Sequence, residues 1–198
     1  MTYQSLYALV VFAFVSSITP GPNNLMLKAS GANFGIRRTI PHALGVGLGF
    51  VFMVIMVGLG LAQLFDLYPV LHTVLKVLAT IYLVWLAWKI GTAAPKIGNP
   101  ESTGTPFTFA QAAAFQWVNP KAWAMALAAA TVYLPEGSGV FGILLVAMIF
   151  GAVNLPSVGC WAYLGVQMRR FLSTPARLRV FNITMAGLLI ASLYPILI

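Results

Sequence analysis

From Ile40 to Phe65, and again from Val140 to Val166, the chain runs without one Asp, Glu, Lys or Arg. An α-helix needs about 20 apolar residues to cross the hydrocarbon core of a bilayer. Lipid offers no hydrogen bonds, so a chain inside it must satisfy its own backbone, as helices or as a closed barrel. Barrel strands alternate apolar and polar residues. These runs do not alternate, so the spans are helices. Composition agrees: 60% of the 198 residues are hydrophobic and 7% are charged, with a mean hydropathy of +0.91. A soluble domain carries about 25% charged residues. The N-terminus has no basic stretch before Leu6 and leads straight into further apolar segments, so it reads as a span and not as a signal peptide.

Within the first apolar region stands Thr19-Pro20-Gly21-Pro22-Asn23-Asn24, in which nearly every residue is wrong for a continuous helix. Pro20 and Pro22 remove backbone donors, Gly21 loosens the chain, and Asn23 and Asn24 prefer caps and turns. Pro22 suits the first position of a restarted helix. A similar interruption follows at Gln116-Trp117-Val118-Asn119-Pro120-Lys121. Irregular backbone at membrane depth must be buried in protein or line a wet cavity. Paired interruptions in two halves of a chain point to a transporter's binding site.

Six spans are expected: Tyr3 to Asn33 with a break at the Pro-Gly-Pro, Ile40 to Phe65, Val70 to Ile90, Phe107 to Leu134 broken at Asn119-Pro120, Val140 to Val166, and Val180 to Ile198. Asn33 to Arg38 form a basic turn between the first two. A polar Gly/Pro/Ser/Thr-rich linker, residues 91–106, divides a single transmembrane domain, residues 1–198, into halves 1–97 and 107–198. Arg37, Arg38, Lys89, Lys96, Arg169, Arg170, Arg177 and Arg179, eight of the eleven basic residues, then fall on one face, and Asp66 and Glu136 on the other. The positive-inside rule puts the basic loops in the cytoplasm and both termini outside. It also accounts for the +8 formal charge without nucleic acid. With three spans per half, the first and fourth enter from opposite sides. The expected fold is therefore an all-α membrane protein of two inverted three-helix repeats.

Lys28 and Lys121 lie near the breaks. Two roles fit them: attracting an anion such as a substrate carboxylate, which the amides of a restarted half-helix would also do, or snorkelling to the cytoplasmic interface. Asn23, Asn24, Gln116, Asn119 and Asn154 supply neutral polar groups there, either to bind an ammonium group or to cap half-helices. His42, beside Pro41, reads as interfacial, and a proton relay is the other role open to it. Trp85 and Trp88 read as a membrane belt. Trp117 and Trp123 flank the second break as packing residues or as a gate. Cys160, the only cysteine, excludes an internal disulfide and reads as a small buried apolar residue.

No Asp or Glu lies inside an expected span. Divalent metals want carboxylates or clustered His and Cys, and an enzyme wants a nucleophile with a base or a metal. No such constellation is present. A carrier without a metal or other cofactor is the expectation. An intramembrane enzyme, a structural assembly partner and a metal-cation exporter are the alternatives.

The chain resembles the LysE/RhtB family of bacterial amino-acid exporters. The resemblance rests on Thr19 to Asn24, on Gly45 and Gly49, on Tyr82-Leu83-Val84-Trp85-Leu86-Ala87-Trp88-Lys89, and on Phe115-Gln116-Trp117-Val118-Asn119-Pro120-Lys121-Ala122. It implies export of amino acids or small derivatives across the inner membrane, driven by an ion gradient, with protons the expected ion. Some relatives carry an acidic residue soon after the glycine run; here Gly49 is followed by Phe50 and Val51, which argues against a cationic cargo. The Trp-Leu-Ala-Trp-Lys-Ile stretch resembles the subgroup for neutral cargo, which includes cysteine and O-acetylserine exporters. The expected site is Pro20, Gly21, Pro22, Asn23, Asn24, Lys28, Asn119, Pro120, Lys121 and Asn154, with an amino acid as cargo. The lipid bilayer surrounds the chain, and its Gly-rich spans can pack within a monomer or in a homo-oligomer.

Overall fold

The computed structural model describes residues 1–61, 63, 67–92, 105–134, 137–172 and 174–194. Among them the chain is all-helical, with eight α-helices: α1 Tyr3–Ile18, α2 Pro22–Phe34, α3 Ile36–Met56, α4 Val70–Gly91, α5 Phe109–Phe115, α6 Pro120–Ala128, α7 Gly139–Met168 and α8 Pro175–Ala191. A 3-10 turn, Gln116–Val118, follows α5, and π turns extend α3 (Val57–Leu61) and α6 (Ala129–Tyr133). Asp66, Lys96, Glu101, Glu136 and most of the linker lie outside the described residues.

α7 packs against α1, α2 and α3; α3 also packs against α5, and α4 against α8. Two of these contacts are made backbone to backbone. A Cβ at Gly31 of α2 would collide with the carbonyl oxygen of Ala162 in α7, and one at Gly165 with that of Lys28. A Cβ at Gly45 of α3 would collide with the carbonyl of Phe109, and one at Gly49 would sit 2.6 Å from Ala113 Cα of α5. Small residues are what allow membrane helices this proximity.

Leu9 of α1, Met53 of α3, Ala126 of α6 and Phe150 of α7 meet in one core. Met26 of α2, Leu83 of α4, Phe115 of α5 and Leu189 of α8 meet in another. α1 and α2 thus serve different cores, as do α5 and α6, and the interruptions lie where the cores adjoin. The outer surface is apolar, with Phe52, Ile81, Phe141, Met148 and Ile183 exposed, while Asn24, Gln116, Asn119, Asn154 and Asn182 are buried. In water that distribution would be inside out; it suits lipid.

Ile36–Leu61, Thr73–Gly91 and Gly139–Met168 are long and apolar enough to cross a bilayer, and the bent pair α1 and α2, at 52°, makes a fourth if counted as one. The remaining stretches are shorter. Between Phe107 and Leu134 no α-helix exceeds the 9 residues of α6, and α8 has 17 residues, at the short end of a crossing.

Several boundaries and placements differ from the sequence reading. α3 begins at Ile36, so Arg37 and Arg38 sit in its first turn and not in a loop. Gly35, at φ 78°, makes the whole turn between α2 and α3, a conformation open to glycine and costly elsewhere. His42 lies in the second turn of α3 and is buried within the protein, at 2% exposure, with its ring 5.3 Å from that of Phe107. α8 begins at Pro175, bringing Arg177 into its first turn and Arg179 into its second. Cys160 is exposed, not buried, because α7 turns Val158 and Ala162 inward instead. An outward thiol is tolerated where the surroundings are apolar. Trp85 and Trp88 are both exposed, as a belt requires.

Candidate functional site: a cavity between two helix breaks

α1 stops at Ile18 because Pro20 and Pro22 cannot supply the next helical N–H groups. The carbonyls from Val15 to Gly21 still need donors, and each has one. Val15 O accepts from Thr19 N and Gly21 O from Leu25 N. Ser16 O accepts from Thr19 Oγ1. Asn24 Nδ2 donates to Ser17 O and Thr19 O, both at 2.8 Å. Trp161 Nε1 donates to Ile18 O at 3.0 Å. Lys121 Nζ donates to Thr19 O at 2.7 Å, to Thr19 Oγ1 at 3.0 Å and to Pro20 O at 3.4 Å. Four of these seven carbonyls are served by side chains of α2, α6 and α7. The end of α1 is therefore a tertiary construction.

The second interruption is more local. The chain tightens into the 3-10 turn, and Asn119 then caps α6 itself, its Oδ1 accepting from Lys121 N at 3.1 Å. Pro120 occupies the first position of α6, where its missing N–H costs nothing. Trp123 Nε1 donates to Trp117 O across the break at 2.9 Å, and the two indoles meet edge to face. That is packing within the break.

The breaks meet face to face. Asn23 Nδ2 donates to Gln116 Oε1 at 2.8 Å, and Gln116 Nε2 donates back to Asn23 Oδ1 at 3.3 Å and to Ala112 O at 2.8 Å. Beside this pair lies a small cavity of about 30 Å³, room for about two waters as it stands. Gly21, Asn23, Asn24, Asn119, Lys121 and Asn154 line it. Pro20, Pro22 and Pro120 do not; they shape the backbone around it. Lys28 is elsewhere, its ammonium 6.0 Å from the centre of the Trp161 ring.

Ser16, Ser17 and Gln116 also line the cavity. The two serines went unread as site residues, although a hydroxyl pair directly before a Pro-Gly-Pro in an apolar helix is a usable signal. Val46, Phe50, Ala122, Met125 and Val158 close the apolar side. Asn154 Nδ2 donates to Ser17 Oγ at 3.1 Å, while its Oδ1 is buried without a partner. Lys121 is the one charged residue in the lining among the described residues. No group of His, Cys, Asp and Glu among them could hold a metal ion.

The polarity of the cavity follows from the helix ends. The C-terminal end of α1 presents carbonyl oxygens, the negative pole of the helix dipole. The N-terminal end of α2, capped by Gly21, has no side-chain acceptor for its first amides, the positive pole. Both open beside Asn23 and Asn24.

No solved structure matches significantly. Curated relatives named cysteine/O-acetylserine efflux protein are 29% identical over 191 residues in Escherichia coli strain K12 and in Shigella sonnei, covering 96% of both chains. One from Klebsiella pneumoniae is 27% identical over 171 residues, covering 86% of each. The family model described as LysE type translocator matches residues 14–193. A chain matched across nearly its whole length, with a polar cavity inside an apolar exterior, belongs to the LysE type translocator family: it is a transporter and not an enzyme.

Proposed function

We propose that the chain exports a small, neutral, zwitterionic amino acid or derivative, of the size of cysteine or O-acetylserine, from the cytoplasm across the bacterial inner membrane. One observation carries this: at the first break a carbonyl end and an uncapped amide end lie side by side, next to a cavity lined by Gly21, Asn23 and Asn24. A zwitterion needs such a pair, an acceptor set for its ammonium and a donor set for its carboxylate. A cargo with a further net positive charge finds no carboxylate in the lining. The names of the relatives point to the same cargo class.

The reading includes alternating access across six membrane crossings, with α1–α2 and α5–α6 each forming one broken span. Support for two inverted repeats comes from the pairing of elements. Exchanging the halves turns α3 on α5 into α7 on α1, and leaves α3 on α7 and α4 on α8 unchanged. The basic loops face the cytoplasm and both termini the outside. A proton gradient drives the step, as the family resemblance implies. Pro20, Gly21, Pro22, Asn23, Asn24, Asn119, Pro120, Lys121 and Asn154 form the site; Lys28, on Trp161, supports it from outside.

The test is flux into everted membrane vesicles with labelled cysteine, O-acetylserine, serine and lysine, with and without an imposed proton gradient. Gradient-dependent uptake of a neutral amino acid is expected, together with its loss in Asn23→Ala and Pro20→Ala variants that still insert. Uptake of lysine alone, or full uptake by the double variant, overturns the reading.

A further inference from the structure

The carbonyl end of α1 already holds a primary ammonium, that of Lys121. Its three N–H donors meet three oxygens, Thr19 O, Thr19 Oγ1 and Pro20 O, a full complement for the head group. None of the three is a carboxylate. The attraction comes from peptide and hydroxyl dipoles, reinforced by the negative end of α1. The arrangement depends on Gly21: a Cβ there would stand 2.7 Å from Lys121 Cδ and 3.2 Å from its Nζ. Asn24 and Trp161 bind the neighbouring carbonyls, so the backbone of the nest is not held by Lys121 alone. Thr19 and Pro20 are exposed and Lys121 is half-buried, which gives an incoming group access.

The cargo proposed above carries the same chemical group. From this we infer that the Thr19–Pro20 nest is the receptor for a primary ammonium, and that Lys121 is its resident stand-in, displaced by the ammonium of the substrate. The inference takes its cargo from that functional reading, but the nest itself does not depend on it. Swapping one ammonium for another preserves both the charge at the carbonyl end and its hydrogen bonds. The displaced Lys121 becomes a free cation in a cavity that also receives a carboxylate. A site of this kind holds a cation at the carbonyl end whether empty or loaded, Lys121 in the first case and the ammonium of the cargo in the second.

The test uses purified full-length chain in detergent, with ethylammonium as the probe and thermal stability as the readout. Tetramethylammonium, which has no N–H donor, and sodium are the controls. In Lys121→Ala, ethylammonium should raise the melting temperature saturably, and neither control should. The wild type, with its nest filled, should show no such rise. Adding Thr19→Val to Lys121→Ala removes one of the three acceptors and should weaken the ethylammonium effect about tenfold. The transported amino acid should compete with ethylammonium in Lys121→Ala, and its N-acetyl form should not. If Lys121→Ala unfolds on extraction, ethylammonium present throughout should restore it, and failure to restore it overturns the inference. A folded variant indifferent to ethylammonium, or stabilised by sodium alone, overturns it too. Apart from the competition step, these readouts require no flux, so failure of the nest and failure of the export reading are separable.

Discussion

The two helix breaks look alike in sequence and are built differently. At the second, Asn119 caps the restarted helix and a 3-10 turn absorbs the change of direction. Its needs are met within a few residues. At the first, Asn24, Trp161 and Lys121 reach in from three other helices to satisfy the end of α1, and the start of α2 has no side-chain cap. The second break lends two side chains, Gln116 and Lys121, to the first. The first is thus the receiving side of the site and the second the supplying side. A break that depends on distant partners is sensitive to how its neighbours are placed, which suits a point where a cargo enters and leaves.

The largest effects should come from the helix contacts that hold each break in position. Gly31→Val would drive a side chain into the carbonyl of Ala162, a rigid neighbour that cannot turn aside. The expected cost is about 3 kcal/mol or more, with α2 displaced from α7 and export lost. Gly49→Val meets Ala113 Cα at 2.6 Å and displaces α5 instead. Because the second break is locally capped, Gly49→Val should leave a folded protein with reduced export, whereas Gly31→Val should lose both. Thermal stability and vesicle flux measured on the two variants check this, and equal losses would break the distinction between the breaks.

The sequence displays the breaks more plainly than the partners that complete them. Proline and glycine act on their own backbone, so Thr19 to Asn24 and Asn119-Pro120 announce themselves within six residues. The hydrogen bond between Asn23 and Gln116 joins positions 93 residues apart, and Lys121 reaches back 102 to Thr19. No local rule pairs such residues. Lys121 could be singled out as a cation near a break, but charge alone does not say that its first partners are carbonyls and not an anion. Trp161 stayed hidden because an indole in an apolar span reads as packing; its role lies in one N–H aimed at Ile18 O. His42 shows the same limit from the other side. Its position near the start of a span suggested the interface, yet α3 starts four residues earlier, at Ile36, and the side chain is packed inside the protein, which no local rule announces.

A smaller contrast separates the two capping asparagines. Asn24→Ala strips Ser17 O of its side-chain donor and Thr19 O of one of its two, in a residue 4% exposed. An unsatisfied buried polar group costs about 1–3 kcal/mol, so a loss of about 2 kcal/mol is expected, with export abolished. Asn119→Ala removes one N-cap bond, to Lys121 N, worth about 1 kcal/mol. Chemical denaturation of both variants gives the ranking. An Asn119→Ala loss equal to or larger than that of Asn24→Ala would show that the second break is not self-sufficient.

The finest test is of the link between the breaks. Asn23 and Gln116 exchange two hydrogen bonds, and Gln116, with no exposed surface, is further tied to Ala112 O. If the breaks act as one unit, Asn23→Ala and Gln116→Ala should be strongly non-additive. Hydrogen bonds between membrane helices are worth about 0.6 kcal/mol on average and up to about 1.7 kcal/mol, so a coupling near 1 kcal/mol is expected from a double-mutant cycle on stability. The single variants should also differ. Gln116→Ala frees Asn23 to turn toward the cavity, while Asn23→Ala leaves Gln116 fixed on Ala112 and removes a lining amide at the positive end of α2. Export should therefore fall further in Asn23→Ala than in Gln116→Ala, though the two lose similar stability. If stability and export fall together in both, the amide pair serves only to hold the breaks against each other, and cargo recognition rests with Asn24, Asn154 and the Thr19–Pro20 nest.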